Sequence, residues 1–508
     1  MQAFKKLFIF AFMRTTLNLS IYLLLLFSAC QPSQVDVGQQ AEQGFKKDLD
    51  TLQAYFDIPG IAALVAKGED VLFEHYSGFS DVENQVLVNE QTIFPIASLT
   101  KVFSGILALQ LQEAGQLDLD APLLQYFPNQ EIFPGVQIKH VLSHTSQGTP
   151  GENFYYSYRF GALTRVLEMA GDTSLEALVE QHILSPLALT NTFPIPDSNS
   201  IGKRKDLLAQ PYVLGEDGLE KGPLEWGYST SAGLASNLKN LHQLSLALDQ
   251  NQLITEASKQ LLYEGLNQEH PYGYGIFSQS FQGINIYWAY GQYDGYSSLF
   301  IKVPQKDLTL VLLANNNLMS DPARLIYGDV FSSLFAHSFF NNYVFDLEKE
   351  PIFVEGVLED IKKHSQAELF RKRLQAEALA ASFMARYEIE EINKSVKLLE
   401  TVFGAYPQVS SYGDLNTLHN IIFLKDVAAY RDLGVFDVFD QQVLSIGSHL
   451  LEIDRENPYA NLYMASYYQK KDNEEMTRQY YKAIAEAENF SSFWYTAQAN
   501  QWLEKYPE

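Results

Sequence analysis

Cysteine is almost absent from this chain of 508 residues, in which Cys30 is the only one. A single thiol cannot close an intrachain disulfide, so the fold must be stabilised without such cross-links. Basic residues are also scarce, with 36 Lys and Arg against 61 Asp and Glu and a formal net charge of −25. Because nucleic-acid binding needs clustered Lys and Arg, this balance argues against a nucleic-acid partner.

The apolar run Ile21–Phe27, near the start of the chain, is too short for an ordinary transmembrane helix. It is followed by Ser28, Ala29 and Cys30, a pattern similar to a bacterial lipoprotein signal. The resemblance implies a signal peptide over residues 1–29 and a lipidated Cys30 that anchors the protein in the bacterial cell envelope, at the periplasm or outer surface. An uncleaved N-terminal anchor is the alternative. Residues 30–50 are predicted to form a tether and a first helix.

Apolar residues make up 46% of the chain, enough to build full cores in the two or more domains that this length predicts. Strand-like runs occur at residues 61–67, 71–76, 284–290, 296–303 and 308–314. Helical and loop sequence fills most of the region between them. This order predicts an α/β (α+β) domain, in which an antiparallel sheet is closed by both ends of the domain and a helical subdomain is inserted. A cleft between the two parts is the natural place for a site.

Beyond about residue 345 the sequence becomes rich in Glu, Lys, Ala and Leu, which predicts an all-α domain over residues 345–508. The segment from Asn457 to Ala485 resembles one tetratricopeptide-type helix pair. About three such repeats are needed for a free-standing solenoid. We therefore interpret these helices as an appendage docked on the first domain, with binding of a protein partner as the alternative.

The tetrapeptide Ser98-Leu99-Thr100-Lys101 opens a long apolar run that predicts a buried helix ending near Gly115. Ser-x-x-Lys also occurs at Ser200–Lys203 and Ser236–Lys239, but in polar surroundings. Backbone N–H groups at a helix N-terminus favour negative charge, and Lys101 lies one turn later on the same face. The pattern predicts a serine nucleophile served by a lysine, with a helix-capping serine as the alternative.

A series of segments, taken in order, is similar to the serine β-lactamase-like family of class C β-lactamases and penicillin-binding-protein-like serine hydrolases. The segments are Ile96–Lys101, Leu109–Pro122, Tyr126–Pro128, Ile138–Ser146, Phe154–Ser157, Ser231–Leu234 and Gly295–Ser298. They lie within about residues 55–320, and the resemblance implies a hydrolase domain over residues 51–344. It also implies an acyl-enzyme reaction on small esters, β-lactams or D-alanyl peptides, without a metal or organic cofactor.

The resemblance further implies roles for individual residues. Ser98 would be the nucleophile, and Lys101 and Tyr156 would act together as general base and then as acid. A tyrosine with a pKa of about 10 needs nearby cations to serve at neutral pH, so we expect Lys101 to lower the pKa of Tyr156. The backbone N–H groups of Ser98 and Gln292 would form the oxyanion hole.

Two positions depart from the family pattern. Tyr158 stands where asparagine is usual, which puts substrate choice in question. Ala289 stands where lysine or histidine is usual, which removes a charge that would bind a substrate carboxylate. Gly291, two residues on, is retained and lets the strand approach substrate. The departures support a rival interpretation, a binding protein that kept the fold and lost catalysis.

A metal site is the remaining candidate. His140 and His144 have a spacing that could suit zinc. No third ligand accompanies them, so no metal centre is predicted.

Overall fold

The protein is described from a computed structural model. The structure describes residues 37–128, 130, 132–267, 269–345, 352–353, 367–433, 437–491 and 493–507. The predicted signal peptide and Cys30 lie outside these residues. The chain divides into two compact units, Met1–Gly44 and Phe45–Glu508, and the described part of the first unit is the start of a helix. Among the described residues, no helix combines the length and apolar character needed to cross a membrane.

Twelve strands occur in the described residues. They are β1 (Gly60–Lys67), β2 (Asp70–Asp81), β3 (Val86–Leu87), β4 (Phe94–Pro95), β5 (Phe193–Pro194), β6 (Tyr212–Gly215), β7 (Gly218–Lys221), β8 (Leu234–Ser236), β9 (Phe277–Phe281), β10 (Ile284–Tyr293), β11 (Tyr296–Val303) and β12 (Leu308–Ala314). The main sheet is antiparallel, in the order β3-β2-β1-β12-β11-β10-β9. In its centre β1 pairs with β12, from Ile61 opposite Ala314 to Lys67 opposite Leu308. The predicted closure of the sheet by both ends of the domain is therefore confirmed.

One helix precedes β1, and the others are grouped between β4 and β9 and again after β12. They are α1 (Val37–Tyr55), α2 (Thr100–Glu113), α3 (Ile138–Leu142), α4 (Leu163–Gly171), α5 (Leu175–Val179), α6 (Leu238–Asp249), α7 (Glu256–Glu264), α8 (Leu334–Phe339), α9 (Ala367–Met384), α10 (Glu390–Ala405), α11 (Leu415–Tyr430), α12 (Asp440–Ile453), α13 (Pro458–Lys470), α14 (Glu474–Ala485) and α15 (Trp494–Lys505). The inserted helical subdomain and the helical C-terminal region are both present, as predicted. Helix α1 runs past residue 50, the predicted limit between the first helix and the hydrolase domain. The predicted domain limits themselves stay predictions.

Both faces of the sheet are covered, which explains why β1 is apolar from Ile61 to Ala66. Ala62 and Leu64 pack in a core shared with α2 and α4. Ile61, Ala63 and Val65 point the other way, into a core shared with α8 and α9. A strand buried on both faces reads as a continuous apolar run. The first core places α2, and the serine turn before it, against the sheet.

The C-terminal helices have a core of their own that joins the sheet domain through α9. Phe370 and Leu374 of α9 lie in the C-terminal core, whereas Ala376 and Ala380 of the same helix lie in the core behind the sheet. Helices α13 and α14 pack on each other, and Asn457 caps α13 by accepting a hydrogen bond from the backbone N–H of Ala460. The tetratricopeptide resemblance of this pair stays a prediction.

Candidate active site

Ser98 lies in a single 3-10 turn, Ala97–Leu99, directly before α2 begins at Thr100. The turn follows β4, and its first residue, Ala97, has a φ of +46°. A left-handed conformation is uncommon for a residue with a side chain, and such strain is found where a fold must aim a functional group. Ser98 is half-buried, so its hydroxyl lies at the edge of the packed core.

Lys101 is directed at Ser98 from the first turn of α2. Its Nζ atom lies 2.9 Å from the Oγ of Ser98 and donates a second hydrogen bond, also of 2.9 Å, to the backbone carbonyl of Ser231. The side chain is almost fully enclosed, with 3% of its surface exposed. Burial disfavours the ammonium form and lowers the pKa of Lys101 to about 7. A large fraction of the lysine is therefore a free amine near neutral pH.

Tyr156 lies beside both Ser98 and Lys101. The Nζ of Lys101 lies 5.0 Å from the centre of its ring, over the ring face. Burial raises the pKa of Tyr156, and the hydrogen bond with Ser98 opposes this only in part. The expectation that Lys101 lowers this pKa was wrong, because desolvation of the phenolate outweighs any gain from a partly neutral amine. The phenol of Tyr156 therefore stays protonated at neutral pH.

His144 supports the ring of Tyr156 by stacking on it, with ring centroids 4.2 Å apart. Its Nδ1 accepts a hydrogen bond of 3.1 Å from the backbone N–H of Ser157. Burial lowers the pKa of His144 well below its usual value, so the ring is neutral. The described residues contain no group of three or more His, Cys, Asp or Glu side chains able to hold a metal ion. His144 orients the segment around Tyr156.

Strand β10 carries the other predicted site residues past the serine turn. Gly291 lies so close to this turn that a Cβ atom there would be 1.9 Å from the backbone oxygen of Ile96. The hydroxyl of Ser298, opposite Gly291 on β11, donates to that same oxygen at 2.9 Å. The small residue thus makes room for protein backbone beside Ser98. Gln292 follows directly, half-buried.

Ala289 and Tyr158, the two departures from the family pattern, lie in opposite environments. Ala289 is only 4% exposed and packs in the core on the α2 side of the sheet. Tyr158 is 72% exposed, and its ring makes an edge-to-face contact with Phe493, at 4.5 Å between centroids. Phe493 belongs to the C-terminal helical region, so this region reaches the site.

Sequence reasoning missed two parts of this arrangement. The first is the backbone carbonyl of Ser231, which accepts a hydrogen bond from Lys101. Every residue type has such a carbonyl, so the sequence cannot identify it. The C-terminal contacts around Tyr156 join positions about 300 or more residues apart, which no local pattern signals. The pairing of Ser98 with Lys101 was accessible because it is local, i to i+3.

A protein-family model described as Beta-lactamase matches residues 46–329, more than half of the chain. A penicillin-binding protein of Bacillus subtilis is 23% identical over 305 residues, which cover 50% of this chain and 67% of that protein. Esterase EstB of Burkholderia gladioli is 25% identical over 246 residues, which cover 36% of this chain and 61% of the esterase.

Among solved structures, D-amino acid amidase from Ochrobactrum anthropi, in complex with D-phenylalanine, has a TM-score of 0.50 and 16% identity. The match covers 55% of this chain and 92% of the amidase. A likeness at this level of identity shows a shared fold.

Proposed function

The chain belongs to the beta-lactamase family of serine hydrolases, and we propose that Ser98, Lys101 and Tyr156 form its acyl-transfer unit. The observation that carries the proposal is the contact of 2.9 Å between the Nζ of Lys101 and the Oγ of Ser98. A serine hydroxyl is a weak nucleophile until a base takes its proton. Lys101, with a pKa of about 7, is that base.

In the first step the Oγ of Ser98 attacks a substrate carbonyl carbon while its proton passes to the Nζ of Lys101. The Tyr156 hydroxyl then gives its proton to the leaving group and takes one back from the Lys101 ammonium. The bond to the leaving group breaks, and an acyl-enzyme remains on Ser98. Water attacks this ester by the reverse proton path, which releases the acid and restores the serine.

The negative oxygen of each tetrahedral intermediate would be bound by the backbone N–H groups of Ser98 and Gln292. The support is the close approach of Gly291 to Ile96, since it brings the residue after Gly291 beside the serine turn. Such donors are independent of side-chain type, so the departures at other positions leave them in place.

The proposed substrates are small esters, β-lactams or D-alanyl peptides. The relatives include a penicillin-binding protein and an esterase. The lack of a cation at Ala289 favours neutral substrates over those that carry a carboxylate.

The test is active-site labelling of the full chain with a fluorophosphonate and with a fluorescent penicillin, followed by mass spectrometry of the adduct. Ser98 is the expected site, and Ser98→Ala should abolish both labelling and turnover of an activated ester. Ser200→Ala is the matched control, because Ser200–Lys203 repeats the same tetrapeptide pattern away from the site. Labelling at another serine, or unchanged turnover in Ser98→Ala, would contradict the mechanism.

The alternative is a binding protein that has lost catalysis, and the observation that favours it is the pair of departures at Tyr158 and Ala289. It predicts that neither reagent labels Ser98 while a ligand still raises the melting temperature. Labelling of Ser98 together with turnover of an activated ester that Ser98→Ala abolishes would exclude it.

We also propose that the protein is exported and lipid-anchored through Cys30, on the sequence pattern of residues 21–30. Cys30→Ser should release a soluble or uncleaved form. Mass spectrometry that finds no lipid on Cys30 in the wild type would contradict the anchor.

A further inference from the structure

The C-terminal helical region contacts the loop that carries Tyr156. This loop, residues 146–159, is called the Tyr156 segment. Most of it runs between α3 and a 3-10 turn that begins at Tyr158, and it contains no helix or strand before that turn. Several C-terminal residues contact it, and five of them are Asp454, Asn489, Ser491, Phe493 and Tyr495. We call these five the clamp.

Asn489 joins the two ends of the Tyr156 segment. Its side-chain amide donates to the backbone carbonyls of Ser146, at 2.9 Å, and Gly148, at 2.7 Å. Its own backbone carbonyl accepts from the guanidinium of Arg159 at 2.7 Å. Arg159 also donates to the carbonyl of Ser146 at 2.6 Å. The loop is thus closed around one residue from a region more than 300 positions away.

Gln147 is held by two further members of the clamp. Its side chain is buried, and its Oε1 accepts from the backbone N–H of Ser491, at 3.0 Å, and from the hydroxyl of Ser491, at 2.6 Å. Its Nε2 donates to the hydroxyl of Tyr495 at 3.2 Å. A buried amide with these partners fixes its loop, since releasing it would leave polar atoms unpaired.

The neighbours of Tyr156 are held in the same way. The hydroxyl of Tyr155, directly before it, donates to Asp454 at 2.7 Å. Tyr158, two residues after it, packs edge-to-face on Phe493. Tyr156 itself faces the other way, toward Lys101 and Ser98. The clamp therefore acts on the catalytic tyrosine only through its flanking residues.

We propose that the clamp sets the position of Tyr156 for proton transfer, with Asn489 as the main positioning residue and Tyr155 as the second. This inference rests on the proposed function, because it assumes that Tyr156 moves a proton. A reacting group displaced by about 1 Å can cost about 100-fold in rate. On this proposal the C-terminal helical region has a positioning part in the hydrolase site, through the residues that flank Tyr156.

The test is a double-mutant cycle in the full chain, with turnover of an activated neutral ester as the readout. Asn489→Gly removes the two side-chain hydrogen bonds and tolerates the φ of +63° at this position. We expect a loss of about tenfold or more in kcat with little change in KM. In a Tyr156→Phe background the same change should cost nothing further, because the tyrosine proton is already gone.

Tyr155→Phe tests the second contact and has a matched control in Tyr387→Phe. Tyr387, after α9, donates its hydroxyl to the backbone carbonyl of Leu214 at 3.0 Å, so it also joins the C-terminal region to the sheet domain. Each variant removes one hydroxyl hydrogen bond between the same two regions. Only Tyr155→Phe should lower kcat. If Asn489→Gly fails to fold, the comparison of Tyr155→Phe with Tyr387→Phe tests whether the clamp positions Tyr156.

Two failures can be told apart. Full activity in Tyr156→Phe alone would overturn the proposed mechanism. A strong loss in Tyr156→Phe, with Asn489→Gly and Tyr155→Phe no worse than Tyr387→Phe, would overturn the clamp and leave the mechanism intact. Losses that multiply with that of Tyr156→Phe would also overturn the clamp, since they would show a merely structural effect.

Discussion

The Nζ of Lys101 and the Oγ of Ser98 lie 2.9 Å apart, and the side chain of Lys101 is almost fully buried. Burial lowers the pKa of Lys101 to about 7, and burial raises the pKa of Tyr156. The two pKa shifts therefore favour different roles for Lys101 and Tyr156 in proton transfer. Lysine is the group that loses its proton near neutral pH, and tyrosine is the group that keeps it.

The first prediction is a pH profile governed by Lys101. Because its pKa is lowered, the free amine dominates above about pH 7 and the ammonium below it. We expect kcat/KM for a neutral ester to rise with pH and to level off above an apparent pKa near 7. Steady-state assays between about pH 5 and pH 9 measure this directly. A profile that keeps rising toward about pH 10 would assign the base role to Tyr156.

The second prediction concerns stability. The pKa of Lys101 is lower in the folded protein than the value of about 10.4 in the unfolded chain, so the unfolded chain binds more protons between these values. Stability should therefore rise as pH increases through this window. Lys101→Met removes the buried amine and should raise the free energy of unfolding at pH 7 by about 1–2 kcal/mol while abolishing turnover.

Thermal unfolding of both proteins at pH 7 and at about pH 10 provides the measurement. The advantage of the variant should shrink at the higher pH, where the lysine is neutral in both states. A lower melting temperature for Lys101→Met at pH 7 would show that its hydrogen bonds with Ser98 and Ser231 outweigh the cost of burial.

The third prediction tests the close approach of β10 to the serine turn. In Gly291→Ala the new Cβ would meet the backbone oxygen of Ile96. Backbone cannot move as a flexible side chain does, so the turn that carries Ser98 must shift. We expect a cost of about 1–3 kcal/mol in stability and a loss of about 10- to 100-fold in kcat/KM.

Gly404→Ala is the control for that variant. Gly404 is exposed in α10, and a Cβ atom added there would meet no neighbouring residue of the described chain within 4 Å. Alanine there should stabilise the helix by about 0.5–1 kcal/mol and leave turnover unchanged. Similar activity losses in both variants would show that Gly291 has no special relation to Ser98.

The sequence predicted the sheet because its strands are apolar runs bounded by turns, and β1 and β12 come from the two ends of one domain. It predicted the pair of Ser98 and Lys101 because their spacing is local. Tyr156 came only from the family resemblance, since nothing in residues 154–158 alone marks a proton donor. The sign of its pKa shift was wrong, because burial depends on packing by distant residues.

The clamp was beyond sequence reasoning for a related reason. Asn489 binds Ser146 and Gly148 through their backbone carbonyls, which any residue type offers. The partners of Gln147 are likewise more than 340 positions away. Docking of the C-terminal helices was expected in general terms. The sequence did not predict that these helices would contact the Tyr156 segment.

The fourth prediction concerns Ala289 and the charge of the substrate. Ala289 lies on the same face of β10 as Gly291, which approaches the backbone directly before the serine turn, and the family resemblance implies a cation at position 289. Two opposite charges about 4 Å apart attract by ~4 kcal/mol at an effective dielectric near 20, before desolvation reduces the net. Without that cation, neutral esters should be hydrolysed better than esters that carry a carboxylate.

Ala289→Lys should shift the preference toward the anionic ester, by about tenfold for each ~1.4 kcal/mol recovered. Because Ala289 is buried, a longer side chain also disturbs packing, so Ala289→Met is the control for bulk without charge. The measurement is the ratio of kcat/KM for one neutral and one anionic ester in all three proteins. A shift in Ala289→Lys alone supports a charge effect. Equal ratios would show that this position does not select substrate charge, and negligible rates throughout would favour the binding-protein alternative.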